Sequence, residues 1–370
     1  MKVTRNSIVL LILAFVFLIF GCAKKDDVVK VGSILSLSGS LAQYGELTKR
    51  GIELASEDIN ANGGINGKKI EMIYEDSALE PKLGITALNK LINVDNVEIV
   101  VGCVGSSVCL ALAPVANETK TVVISAGATS PKLSEAGPYF FRVAPSDVYN
   151  AVFLVKWLKE ENIKTVGIVY LNNEYGVGLK NQAVYESEQE NIEVLISEGI
   201  LEQQNDFRSM LQKFKRLSPD AILLFTHSEE AGYVLKQSRE IGLNSDYYGG
   251  DALSDPIVYK IAGNTIDGLK YVIPSSGTGE LYMDFKEKYL NKYREEPSAV
   301  PMKSYSALMI AAEAIKNGGY NGEEIQKNLL LIKEFDTPMG IIHFDKNGDV
   351  IGFKYDKLIY KSNGKTNVIK

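Results

Sequence analysis

The chain has 370 residues, with 40 basic against 46 acidic side chains and 45% hydrophobic content. That length accommodates two domains with cores of their own. The mild acidity excludes a nucleic-acid surface, which is basic and patchy, and His227, His343, Cys103 and Cys109 show no metal-site spacing, so neither metal nor cofactor is expected.

The N-terminus reads as a targeting segment. Lys2 and Arg5 precede an unbroken apolar run of 13 residues, Ile8–Phe20. A spanning helix needs about 20 residues, whereas this length suits the core of a signal peptide. The run ends at Ile19-Phe20-Gly21-Cys22, which resembles a lipobox with a bulky Phe20 before the glycine. The expectation is a signal peptide over 1–21, a lipidated Cys22 and a polar tether over 22–27. An uncleaved anchor is the alternative, and both place the protein on the extracytoplasmic face of the membrane. Removing residues 1–21 takes Lys2 and Arg5 away and moves the net charge from −6 to −8. Cys103 and Cys109 then lie where disulfides persist. A bridge and a pair of buried thiols are both open.

Strand and helix patterns alternate along the rest of the chain. Val28–Leu35 reads as a strand, Ser36–Gly45 as a polar loop at its carboxyl end, and Ile52, Ala55 and Ile59 as the buried face of a helix. A turn at Asn62–Gly67 precedes the strand Lys69–Glu75; a helix follows from Pro81, with Ile85, Leu88 and Ile92 at helical spacing.

Glu98–Pro131 is a strand–helix–strand unit. Ile99–Val101 is a strand, Gly102–Ser107 a small polar turn, and a helix runs to about Glu118. The strand Thr121–Ser125 and the turn Ala126–Ser130 follow. Both turns fall at carboxyl ends of strands, where open α/β sheets bind ligands. Ser106 stands where a helix begins, so free backbone N–H groups face whatever sits there. Thr129 brings a hydroxyl from the next turn. The pair reads as a seat for a small carboxylate; an ordinary helix cap and a plain turn are the bland alternatives.

Tyr139–Ala144 is a further strand, and Asp147–Glu161 a helix carrying Trp157. Strands at Lys164–Tyr170, Ile192–Ser197, Ala221–Phe225, Tyr247–Gly250 and Leu269–Ile273 then alternate with helices at Gly176–Glu190, Asp206–Leu217 and Glu229–Ile241. Helices at Tyr282–Tyr293, Met302–Lys316 and Glu323–Ile332 and strands at Gly340–Phe344 and Ile351–Tyr360 close the chain. Two successive runs of this kind imply two Rossmann-like α/β lobes with parallel sheets flanked by helices.

The ordered set of short motifs resembles the type I periplasmic-binding proteins of ABC importers, in the branched-chain amino acid group. The matching stretches are Leu37-Ser38-Gly39, Ala42-Gln43-Tyr44-Gly45, Asp58–Gly67, Tyr74-Glu75-Asp76, Ala126–Thr129, Tyr175-Gly176, Phe344-Asp345 and Gly348-Asp349. The resemblance implies a cleft that closes on ligand between lobe 1 (28–146 plus 275–350) and lobe 2 (147–274 plus 351–370). It implies that Ser106, Thr129 and the backbone of Gly127 hold an α-carboxylate. Asp251 would pair with the α-ammonium, Tyr44 and Tyr175 would close over the ligand, and His227 and Val300 would shape the side-chain pocket. It also implies an amino acid, branched-chain or otherwise apolar, as ligand, with permease and ATPase subunits as partners. Asp251 stands where well-known members carry Glu, and their usual disulfide positions fall on Ala78 and Gly105. Some relatives bind amides, urea or aromatic acids, and a ligand-sensing module of the same fold is a further alternative. An enzyme is not expected: Ser106 lacks a G-x-S-x-G elbow, and no Walker loop or metal-binding helix motif is present.

Overall fold

The computed structural model describes residues 28–275, 277 and 279–369. The expected signal peptide, Cys22 and the 22–27 tether lie outside the described residues, as does Lys370.

Three sheets organise the chain. The first has the order β2-β1-β3-β4-β5, from β1 (Val29–Leu35), β2 (Ile70–Asp76), β3 (Ile99–Val101), β4 (Val122–Ser125) and β5 (Phe140–Arg142), all parallel. Side chains alternate across it. Ile99, Val101, Val122, Ile124 and Phe141 enter one core, and Val100, Val123 and Phe140 enter the other. The near-continuous apolar runs in the sequence follow from burial on both faces. Helices α1 (Ala42–Ala61), α2 (Pro81–Asn93) and α3 (Ser106–Thr119) flank this sheet. Ile52, Ala55 and Ile59 are buried in α1 as their spacing predicts. In α2, Leu88 and Leu91 are buried and Ile85 and Ile92 are only half-buried.

The second sheet begins after α4 (Asp147–Glu160). Its order is β15-β14-β10-β9-β8-β6-β7, from β6 (Thr165–Leu171), β7 (Glu193–Ile200), β8 (Ala221–Phe225), β9 (Asp246–Gly249), β10 (Lys270–Pro274), β14 (Tyr355–Tyr360) and β15 (Thr366–Ile369). The first five are parallel; β14 and β15 add antiparallel at one edge. Helices α5 (Glu174–Gln189), α6 (Arg208–Leu217), α7 (Ser228–Glu240) and α8 (Ile257–Ala262) accompany it. Trp157 of α4 packs edge-on against Tyr248 of β9 at 5.5 Å and is buried in the second core.

Helices α9 (Glu280–Tyr293), α10 (Ala299–Gly318) and α11 (Gly322–Leu331) return to the first sheet's core. A small antiparallel sheet, β11 (Phe335–Thr337), β12 (Gly340–Phe344) and β13 (Val350–Ile351), joins them, and an Arg142–Asp349 bridge ties it to β5. The chain thus passes between the two main cores after β5, after β10 and between β13 and β14.

Three local readings change. Helix α1 begins at Ala42, inside the stretch expected as loop, and its Gly45 packs on the Ser36 carbonyl so closely that a Cβ there would lie 1.9 Å from it. Tyr44 therefore sits in a first helical turn. Helix α10 begins at Ala299, putting Val300 in its first turn, where Pro301 is tolerated. The single strand expected over Ile351–Tyr360 is two: Gly352, at φ +92°, turns the chain between them, and the pieces join different sheets.

Candidate functional site

The carboxyl ends of both parallel sheets open on one cavity of about 390 Å³, within the range of small-molecule sites. Tyr44, Ser106, Gly127, Thr129, Tyr175, His227, Asp251 and Val300 all line it. From the first sheet, Tyr44 follows β1, Ser106 follows β3, and Gly127 and Thr129 follow β4. From the second, Tyr175 follows β6, His227 follows β8 and Asp251 follows β9.

On the first sheet's side the two small turns are stitched together. Gly105 occupies the cap position of α3 at φ +80°, and Ser106 is the first helical residue. No side chain caps this helix, which leaves first-turn N–H groups for a ligand. The Ser130 N–H donates to Ser106 Oγ at 3.2 Å, so the Ser106 hydroxyl proton is still available. Gly127 is a close-approach glycine: a Cβ there would lie 2.7 Å from the Tyr44 hydroxyl. The structure also joins Cys103 and Cys109 in a disulfide, with Cα atoms 6.1 Å apart, holding the Gly102–Ser107 turn to the first turn of α3.

Thr129 is committed differently from expectation. Its hydroxyl donates to Asp147 Oδ2 at 2.7 Å, and the Asp147 N–H donates to the Thr129 carbonyl at 2.9 Å. Asp147 is fully buried at the start of α4, and burial raises its carboxyl to about 7. Its Oδ1 has no hydrogen-bond partner among the described residues.

Asp251 also has an occupant that the sequence did not announce. Lys303 Nζ, on α10, donates to Asp251 Oδ2 at 2.7 Å, with the two side chains 4% and 18% exposed. Burial, the largest single influence, favours loss of the lysine proton; the Asp251 carboxylate, together with Tyr44 and Asp147, outweighs it and holds the pKa above the ordinary lysine value. Lys303 lies one turn after Val300 on the same helix face, but its partner comes from the other core, which helical spacing does not show. Asp147 carries only a weaker signal, its place just after the first passage between cores.

Tyr175 and His227 stack nearly parallel, with ring centroids 5.7 Å apart. Burial depresses the His227 pKa to about 4, so the imidazole is neutral at pH 7. A Ser-His-Asp relay is not assembled: Asp251 pairs with Lys303, Ser106 Oγ accepts from Ser130, and His227 Nε2 is without a hydrogen-bond partner among the described residues. Acyl-transfer chemistry needs the nucleophile and base in contact. Among the described residues no group of three or more His, Cys, Asp or Glu is placed to hold a metal ion, and no helix is long and apolar enough to cross a membrane.

A family profile described as periplasmic binding protein matches residues 28–352. The chain belongs to the periplasmic binding protein family. The leucine-, isoleucine-, valine-, threonine- and alanine-binding protein of Pseudomonas aeruginosa is 27% identical over 336 residues, 89% of either chain. The crystal structure of a leucine-binding protein from Thermotoga maritima superposes with a TM-score of 0.87 at 26% identity, covering 93% of this chain and 98% of that one. A branched-chain amino acid transporter substrate-binding protein from Streptococcus pneumoniae, solved with isoleucine, gives 0.85 at 27% identity, covering 93% and 99%. This binding protein therefore shares its two-lobed architecture with relatives over nearly their whole length.

Proposed function

We propose that this protein is the solute-binding component of an ABC importer, and that it carries an amino acid, branched-chain or otherwise apolar, in a closing cleft. The observation that carries the reading is the cavity itself. Hydroxyls and free helix-start N–H groups line one wall, a carboxylate lines the other, and two aromatics, Tyr44 and Tyr175, stand at the lining. A zwitterion needs donors for one end and an acceptor for the other. In this reading the Ser106 hydroxyl and the backbone N–H groups of Gly127 and Thr129 hold the α-carboxylate, the Thr129 hydroxyl being committed to Asp147, while Asp251 takes the α-ammonium and His227 and Val300 border the side chain. The relatives named above, described as binding leucine, isoleucine, valine, threonine and alanine, support the ligand class.

Residues 28–146 and 275–350 form one lobe in this reading, and 147–274 and 351–370 the other. Residues 1–21 are a signal peptide, and lipid on Cys22 tethers the protein to the outer face of the cell membrane. Its partners are the permease and ATPase subunits of the importer, and it performs no turnover.

A thermal-shift screen of the full chain against the twenty amino acids, urea, short amides and aromatic acids tests the reading. A ligand at about 100 times its dissociation constant adds roughly 2.7 kcal/mol of stability. Stabilisation by an apolar amino acid is expected. A response confined to acids or amides without an α-ammonium would remove the role given to Asp251, and silence across the panel would overturn the transport reading.

A further inference from the structure

Lys303 and Asp251 come from different halves of the molecule. Lys303 lies on α10, whose Leu308, Ile310 and Ala311 belong to the first sheet's core. Asp251 opens a short turn after β9, whose Leu253 belongs to the second sheet's core. Their ion pair therefore spans the cavity. An ammonium has three donors, and among the described residues Asp251 is the one hydrogen-bond acceptor that Lys303 meets. A cation that is 4% exposed with donors to spare is costly unless something else completes its shell.

The surroundings say what that something is. Tyr44, which packs on Gly127, feels the Lys303 charge more than any other charge once burial is counted. Lys303 lines the same cavity as the turn that offers donors to a carboxylate. Elsewhere the lining is acidic: Glu229, Glu230 and Asp255 stand against the exposed Lys260, while Glu295 and Glu296 pair with Arg50 and Lys286. A ligand that is only an anion would meet that acidic surplus and, if it took Lys303, would strand Asp251. A ligand that is only a cation would take Asp251 and strand Lys303. A molecule carrying both charges strands neither.

We propose that Lys303 is a ligand-binding residue, and that a zwitterionic amino acid inserts into the Lys303–Asp251 pair. Its carboxylate takes the lysine ammonium and its ammonium takes the aspartate. This assignment rests on the amino-acid reading and adds to it the residue that selects zwitterions. One ion pair across the cavity becomes two, with no charge left unpaired.

Calorimetry on the full chain tests it with three probes: leucine, 4-methylpentanoate, which lacks the ammonium, and 3-methylbutylamine, which lacks the carboxylate. The same trio is built on whichever amino acid gives the largest stabilisation. Wild type should bind the amino acid at least about tenfold more tightly than either fragment. Lys303→Met should weaken the amino acid about tenfold or more and leave the amine unchanged or tighter, because Lys303 no longer competes for Asp251. The Lys303→Met/Asp251→Asn double variant, which leaves no unpaired charge, controls for folding and should lose the preference for the zwitterion. Equal or tighter amino-acid binding by a folded Lys303→Met overturns the assignment and makes Lys303 only a competitor. Silence of the wild type toward all twenty amino acids overturns the functional reading, and this one with it.

Discussion

Arg142 is fully buried between the small sheet and the turn that lines the cavity. Its Nε donates to Asp349 Oδ1 at 2.5 Å and its Nη2 to Asp349 Oδ2 at 3.0 Å; Nη1 donates to the Ser130 carbonyl at 2.8 Å, and Nη2 also reaches Ser134 Oγ at 2.9 Å. Asp349 lies in the Gly348-Asp349 motif, far in sequence from any lining residue, and this network connects it to the Ala126–Ser130 turn. Asp349→Ala leaves a guanidinium buried without a counter-charge, and breaking such a pair from one side costs about 3–5 kcal/mol. At about 2.1 cal/mol/K of unfolding entropy per residue, a chain of 370 residues shifts by roughly 1.3 °C per kcal/mol, so the melting temperature should fall by at least ~4 °C. Differential scanning calorimetry at neutral pH reads it directly. Arg142→Met/Asp349→Leu removes both charges, fills the space with apolar atoms and should recover most of the loss. A fall under ~2 °C for the single variant, or a double variant as damaged as the two single changes combined, would refute the claim that the pair is coupled and buried.

Other consequences can be measured separately. Asp251→Ala should weaken amino-acid binding more than about tenfold, because it strands both Lys303 and the ligand ammonium; unchanged affinity by calorimetry would remove Asp251 from the site. Two buried groups set opposing pH trends. His227, depressed to about 4, contributes stability that is present above pH 6.5 and is lost as pH falls through 4, about 3 kcal/mol in full at ~1.4 kcal/mol per pKa unit. Asp147, raised to about 7, costs stability above pH 7 and regains it as pH falls toward 4. Melting curves at pH 7, 5.5 and 4 should therefore show His227→Phe gaining on wild type in acid and Asp147→Asn losing on it; parallel curves for all three proteins would contradict both assignments. Gly51→Ala places a Cβ 2.1 Å from the Pro301 carbonyl and 2.2 Å from Ser304 Oγ. It should push α1 from α10 at a cost of about 1–3 kcal/mol, and an unchanged urea midpoint would show that the helix pair is not tightly packed there.

What could be read in the sequence divides along a physical line. The runs Ile99–Val101 and Val122–Ser125 are apolar on both sides because the sheet is covered on both faces, so the strands and the turns after them stand out. Once the strand ends are known, α/β topology brings Ser106, Thr129, Tyr175, His227 and Asp251 to one crevice without further information. The division of Ile351–Tyr360 was not visible, since its alternation is that of one strand, and only the positive φ at Gly352 breaks it. Nor was the Cys103–Cys109 bridge, because a separation of six residues does not fix Cα distance across a turn and a helix start.

The two charged residues that sequence reading missed share a different origin. Asp147 and Lys303 both sit on helices, among residues whose apolar neighbours set the pattern. A polar residue on a helix face reads as solvated unless its depth is known, and depth here comes from packing: α10 lies against α1, and α4 begins where the chain leaves β5. Lys303 is 3% exposed although the periodicity of α10 gives it no partner, because its partner arrives from the other core. The hydrogen-bond donors of this cleft therefore follow from topology, while two of its buried charges follow from how the halves meet. That is also why a chain with the same strand-end residues but another residue in place of Lys303 would keep the two small polar turns and lose the opposed charge. Specificity in this cleft can then diverge at a helix face while the motifs that identify the fold stay in place.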